Sequence, residues 1–133
     1  MDAALRDEVR RRANNRCEYC RLNQLHAPLV FQIEHIIAKQ HGGGDDRLNL
    51  ALACDRCNLH KGTNLTSIDP ETQQIVSLYN PRSQVWAEHF SVDDAFIIGL
   101  TPIGRATVRV LNMNATRRVR LRAALLQRGE WPP

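Results

Sequence analysis

The chain of 133 residues is long enough for one domain with a modest core and short for two independent ones. Charged residues make up 24% and apolar residues 43%, which excludes an intrinsically disordered chain. No apolar run reaches the roughly 20 residues that a membrane-spanning helix requires, so no membrane partner is expected. The net charge of +4 is compatible with a polyanionic partner, and its distribution says more than its size. From Thr101 onward there are seven arginines against one acid, Glu130, whereas residues 69–100 hold five acids and one arginine, Arg82. Arg6, Arg10, Arg11, Arg12 and Arg16 crowd the other end. The opening residues carry charges rather than the apolar centre of a signal peptide, so the expected location is cytoplasmic. Four cysteines in that setting point to metal before disulfides.

Asp2 is placed to cap a helix through about Ala13, with Leu5, Val9 and Ala13 on one face and arginines over most of the rest. Asn14 and Asn15 end it. Cys17 to Cys20 forms a tight knuckle. Leu29–Ile37 is rich in aliphatic and β-branched residues and reads as a strand. A loop follows over His41–Asp46, loosened by Gly42, Gly43 and Gly44. The short apolar run Leu48–Ala53 is a second strand or the start of a turn. Cys54 to Gly62 reads as a second knuckle running into a helix. Beyond it, a turn at Asp69-Pro70 precedes a strand at Ile75–Leu78, and Phe96–Ile98 is a further strand. Pro102 sits in the first turn of a helix through Leu111. Asn114 is expected to cap a last helix to about Gln127, with Val119, Ala123 and Leu126 as its apolar stripe.

Cys17-x-x-Cys20 and Cys54-x-x-Cys57 supply four thiolates, the tetrahedral set that suits a structural zinc ion. Each pair chelates from one tight turn, and closing the long loop between them pins the first helix to the middle of the chain. Such a site suits a plain binding finger as well as an enzyme.

Between and just after the pairs lie Glu34-His35, His41-Gly42-Gly43, Asn49-Leu50 and Asn58-Leu59-His60-Lys61-Gly62. Phosphodiester hydrolysis needs a base to activate water, a cation to stabilise charge at phosphorus and the leaving oxygen, and a grip on the phosphate. An imidazole suits the base, and His35 is the candidate. Glu34 offers a carboxylate and Asn58 an amide oxygen, reasonable partners for one Mg²⁺ or Mn²⁺ that keeps several waters. Regular strand alternation would turn Glu34 and His35 to opposite faces, so bringing both to one site calls for a bulge or a turn.

This arrangement, over about Arg10 to Gly62, resembles the HNH endonuclease family. The resemblance implies an α+β single domain over 1–133, with a zinc-stapled ββα-metal core over 10–62 and additional helices at both ends. Residues 63–133 are then an extension packing on that core. It implies His35 as the catalytic base, and Glu34 and Asn58 as ligands of the catalytic Mg²⁺ or Mn²⁺. Asn49 is the implied loop-organising residue that helps orient the base, and Lys61 the implied phosphate-facing cation. The residue before the catalytic His is more often Asp in the family, and Glu34 keeps the charge on a side chain one methylene longer. The implied substrate is DNA, double-stranded, and a double-strand cut would require a homodimer or two successive nicks. Arg117 and Arg118, on the basic last helix, are candidate substrate contacts that would grip phosphates without reading sequence. Two other readings suit the same residues: a zinc-containing nucleic-acid-binding protein without cleavage, and an RNA-directed nuclease. The stretch from Leu78 through Trp86 to Phe90, with Gly104-Arg105-Ala106-Thr107, resembles an extension of some bacterial HNH proteins, expected to pack and to touch substrate.

Overall fold

The structure is a computed structural model describing residues 1–133. The first helix starts where its cap is: the Asp2 carboxylate accepts from the Leu5 amide at 2.8 Å and opens α1 (Ala3–Arg12). Val9 and Ala13 are buried and Leu5 is half-buried, so the i, i+4, i+8 stripe is the face that meets the core. Asn14 and Asn15 end the helix with φ of 53° and 55°, a left-handed turn that asparagine tolerates better than most residues.

The two strands that follow make a hairpin. β1 (Gln32–His35) pairs antiparallel with β2 (Leu50–Ala53), from Gln32 opposite Ala53 to His35 opposite Leu50, without a bulge. β1 is shorter than the apolar run predicts. Leu29 and Val30 are exposed, because the chain there crosses the surface before it reaches its strand partner. All four residues of β2 are buried, which explains its unbroken apolar character. α2 (Asp55–Lys61) leaves β2 directly, and the Cys54 sulfur caps it by accepting from the Cys57 amide at 3.4 Å. Gly62, with φ of 52°, closes it. Strand, strand and helix together are the ββα unit that the sequence led one to expect.

Two more hairpins follow. β3 (Thr66–Ile68) pairs with β4 (Ile75–Ser77) around the Asp69-Pro70 turn. A short helix, α3 (Trp86–His89), leads into β5 (Phe90–Asp93), which pairs with β6 (Phe96–Gly99). β3, β5 and α3 carry no periodicity of their own long enough to announce them. Thr101 caps α4 (Pro102–Val110), with Pro102 at its start as predicted, and α5 (Thr116–Gln127) closes the fold. No helix is long and apolar enough to cross a membrane.

The last helix departs from its sequence reading at two points. Its N-cap is Ala115, whose side chain caps nothing. Asn114 is drawn away to β6, accepting from the Ile97 amide at 2.9 Å and donating to the Ile97 carbonyl at 2.8 Å. Its fully buried residues are Arg122 and Leu125, while Val119, Ala123 and Leu126 of the expected stripe are half-buried, Leu126 packing against the core. Arg122 tolerates burial because its guanidinium donates to the carbonyls of Ala95 and Met113, both at 2.7 Å, and to Asn114 Oδ1 at 3.1 Å.

One core unites these pieces. Val9 of α1, Tyr19 of the first knuckle, β2, Tyr79, Ile97 and Trp131 belong to a single buried cluster. The segment after 63 docks on the first knuckle in three ways. Trp86 Nε1 donates to the Tyr19 carbonyl at 2.8 Å, Arg82 pairs with Glu18, and the Tyr79 ring meets the Tyr19 ring edge-on.

Candidate catalytic site and thiol cluster

Cys17, Cys20, Cys54 and Cys57 are buried and unpaired by disulfides, and their sulfurs all lie within 4.8 Å of one another. The Cys20 and Cys54 sulfurs are 3.7 Å apart. A tetrahedral zinc site with Zn–S bonds of about 2.3 Å has sulfur–sulfur edges of about 3.8 Å, so the cluster fits zinc in donor type and in spacing. Burial pushes the Cys17 and Cys57 thiols well above the ordinary thiol range, whereas hydrogen bonds from the other three cysteines draw Cys20 well below it, so the cluster already favours one thiolate and the rest lack a counter-charge. A bound dication would supply that charge.

His35 ends β1, and regular alternation places it and Glu34 on opposite faces, with no bulge to bring them together. His35 is half-buried, and its Nε2 meets Asp45 Oδ1 at 2.7 Å. The hydrogen bond from His35, reinforced by Lys39 with Nζ at 3.8 Å, holds the Asp45 carboxyl below its ordinary range. An ionised carboxylate on Nε2 favours the tautomer protonated there, which leaves Nδ1 as the basic nitrogen. Nothing in the sequence singled out Asp45. It is one of two adjacent acids after the glycine run, and the structure divides their work. Asp46 caps the turn that leads to Asn49, accepting from the Leu48 amide at 3.4 Å, and Asp45 turns to the imidazole.

Asn49 stands at the centre of the loop. Its Oδ1 accepts from the Ile37 amide at 2.8 Å, and its Nδ2 donates to the carbonyls of Ile37 at 3.0 Å and Gly44 at 2.9 Å. The side chain thus prolongs the hairpin beyond His35 and gathers the glycine run against it. Gly43 is required by space: a Cβ there would lie 1.7 Å from the Ile37 carbonyl oxygen. Gly44 has nothing within 4 Å.

Glu34 points inward and is 5% exposed. The Tyr19 hydroxyl donates to its Oε1, and the Lys61 ammonium lies 3.2 Å from its Oε2. Burial raises the Glu34 carboxyl above its ordinary value, against the opposing pull of Lys61 and the Tyr19 hydroxyl. Lys61 is itself 2% exposed and also donates to the Ile36 carbonyl at 2.9 Å. This corrects the expectation of a phosphate-facing cation, since the ammonium is spent on an internal carboxylate and a backbone oxygen. Tyr19 is a further partner that the sequence did not announce.

Asn58, on α2 one turn before Lys61, is half-buried, and its amide makes no hydrogen bond to the protein. A carboxylate and an unengaged amide oxygen suit a hard divalent cation in kind, and each Glu34 oxygen keeps a lone pair beyond the one in use. Glu34 nevertheless faces away from His35 across β1 and is already engaged by Tyr19 and Lys61, so the expected Glu34–Asn58 ligand pair does not meet His35 in one site.

The basic last helix divides. Arg117 and Arg120 are exposed, as a substrate contact would be. Arg118 instead turns inward, donating to the Leu111 carbonyl at 2.8 Å and to Cys57 Sγ at 3.0 Å, so its expected role as a phosphate contact gives way to one at the thiol cluster.

Residues 17–64 match the profile of the HNH family, described as HNH endonuclease. No curated protein and no solved structure is a match to the chain.

Proposed function

We propose, from the match of residues 17–64 to the HNH endonuclease family, that the protein is a metal-dependent nuclease that hydrolyses phosphodiester bonds in DNA. The observation that carries the reading is the placement of His35. It lies at the end of β1, held at Nε2 by Asp45 and free at Nδ1, in a loop that Asn49 organises.

His35 Nδ1 takes the proton of a water, and the resulting hydroxide attacks phosphorus in line with the leaving 3′ oxygen. Asp45 fixes the ring and stabilises the imidazolium that forms. Asn49 keeps the loop, and with it Asp45, in register with the strand end. Asn58 is the residue that would hold Mg²⁺ or Mn²⁺, which would supply the positive charge that a departing alkoxide requires, whereas Glu34, on the other face of β1 and engaged by Tyr19 and Lys61, takes no part in the step. The four cysteines hold zinc as a structural ion, with no part in the chemistry. Arg117 is the surviving candidate for a phosphate contact, and it adds affinity that falls with salt.

The test is parallel incubation of zinc-loaded protein with supercoiled plasmid and with RNA, Mg²⁺ or Mn²⁺ added or both withheld. Nicked plasmid formed only with the cation, and RNA left whole, is the expected result. RNA cut in preference to DNA would move the protein to the RNA-directed reading. Salt-sensitive binding without cleavage under either cation would move it to the binding-protein reading.

A further inference from the structure

We propose that Arg118 is an outer-sphere partner of the zinc–thiolate centre, so that zinc affinity and the docking of α5 form one linked equilibrium. The proposal rests on zinc occupying the four-cysteine cluster and is independent of nuclease activity.

The guanidinium of Arg118 is shared between two tasks. Its Nη1 donates to the carbonyls of Leu111 at 2.8 Å and Asn112 at 3.2 Å, where α4 ends. Its Nη2 donates to Cys57 Sγ at 3.0 Å and reaches Cys54 Sγ at 3.8 Å. One planar group therefore joins the end of α4, the first turn of α5 and the second knuckle, although Arg118 lies 61 residues from Cys57 along the chain.

The chemistry gives this contact weight. Zinc with four thiolates carries two net negative charges, and all four cysteines are buried. A buried charge of that size needs hydrogen-bond donors, and a guanidinium brings both charge and N–H groups. Donation to sulfur lowers the energy of its lone pairs and stabilises the thiolate as a ligand. Linkage is reciprocal: if docked α5 tightens zinc, bound zinc tightens the docking of α5 by the same factor. The buried Arg122, one turn on, keeps the same face of α5 turned inward by holding Ala95 and Met113.

A purely structural Arg118 would only cap carbonyls, and the sulfurs would not register its loss. The experiment reads the sulfurs in the full chain, with cobalt(II) replacing zinc in the wild type, Arg118→Met and Arg117→Ala. Arg118→Met should move the thiolate-to-cobalt charge-transfer band to lower energy, because the sulfur lone pairs lose their donor. Its zinc affinity, read by competition with a chromophoric chelator, should fall roughly 10- to 100-fold. Arg117→Ala, on the exposed side of the same helix, should match the wild type in both. If Arg118→Met does not fold, Arg118→Lys carries the test. A single ammonium cannot serve two sulfurs and two carbonyls together, so a shifted band and a loss of roughly 10-fold in affinity are expected. A wild-type band and zinc affinity within about twofold of wild type, in the variant that folds, overturn the proposal.

Discussion

Replacing Lys61 by methionine removes the ammonium while keeping most of its volume, and it leaves Glu34 buried with only the Tyr19 hydroxyl. At the observed 3.2 Å and an effective dielectric constant of about 20, the lost attraction is about 5 kcal/mol. Glu34 limits that loss by taking up a proton. An ordinary glutamate titrates near pH 4.3, so holding the acid form at pH 7 costs about 3.7 kcal/mol at 1.36 kcal/mol per unit. The expected destabilisation is therefore about 3–4 kcal/mol at pH 7, in the range known for breaking a buried pair from one side. The sign follows from the direction of the shift. A carboxyl raised in the folded state contributes its full stability below the unfolded value and loses it as pH rises through the folded value. Removing Lys61 raises the folded value further, so the deficit shrinks on acidification, to about 2 kcal/mol at pH 6. Urea unfolding of the zinc-loaded variant at pH 7 and pH 6, followed by circular dichroism, reads both numbers. The double variant Glu34→Gln with Lys61→Met carries no charge there and should return to within about 1 kcal/mol of wild type. A single variant within about 1 kcal/mol of wild type at pH 7, or a deficit that does not change with pH, would refute the reasoning.

Three further outcomes are expected. Gly43→Ala should cost about 1–3 kcal/mol in urea unfolding and most of the nicking activity, because its Cβ collides with the Ile37 carbonyl, whereas Gly44→Ala should stay within about 0.5 kcal/mol of wild type. Asp45→Asn should slow plasmid nicking roughly 10- to 100-fold with zinc content and DNA affinity kept; an unchanged rate would remove Asp45 from the site. Chelation of zinc should abolish the near-ultraviolet circular dichroism reversibly. The binding free energy of such sites, about 10–16 kcal/mol, matches or exceeds the total stability of most small domains. A tertiary signal that survives chelation would show the fold independent of the ion.

What the sequence made legible is what is written locally. Asp2 with its apolar stripe sets α1, the two CxxC pairs set the cluster, and Cys54 to Gly62 sets α2. Asn49 could be read as a loop organiser only because the resemblance to the HNH family implied that role. The partners of buried charges were not legible. Glu34 and Lys61 are an ordinary acid and an ordinary lysine until β1 and α2 pack and exclude water from both. The burial of Arg122 was not legible either, because no pattern reveals that two carbonyls and an amide oxygen await it. Arg118 was misread for the same reason: a run of arginines on a helix does not say which of them faces a thiolate. Asp45 and Asp46 differ only in where the glycine run sets them down.

The central claim is that His35 is the base of a metal-dependent DNA cleavage, and His35→Ala tests it most directly. The side chain is half-buried and belongs to no core cluster, so the variant should keep its fold and zinc. Conversion of supercoiled plasmid to the nicked form is to be followed for wild type and variant at equal zinc content, with Mg²⁺ and without it. The account predicts cation-dependent nicking by the wild type and a loss of roughly 100-fold or more in the folded variant. Nicking at the wild-type rate by His35→Ala would contradict it.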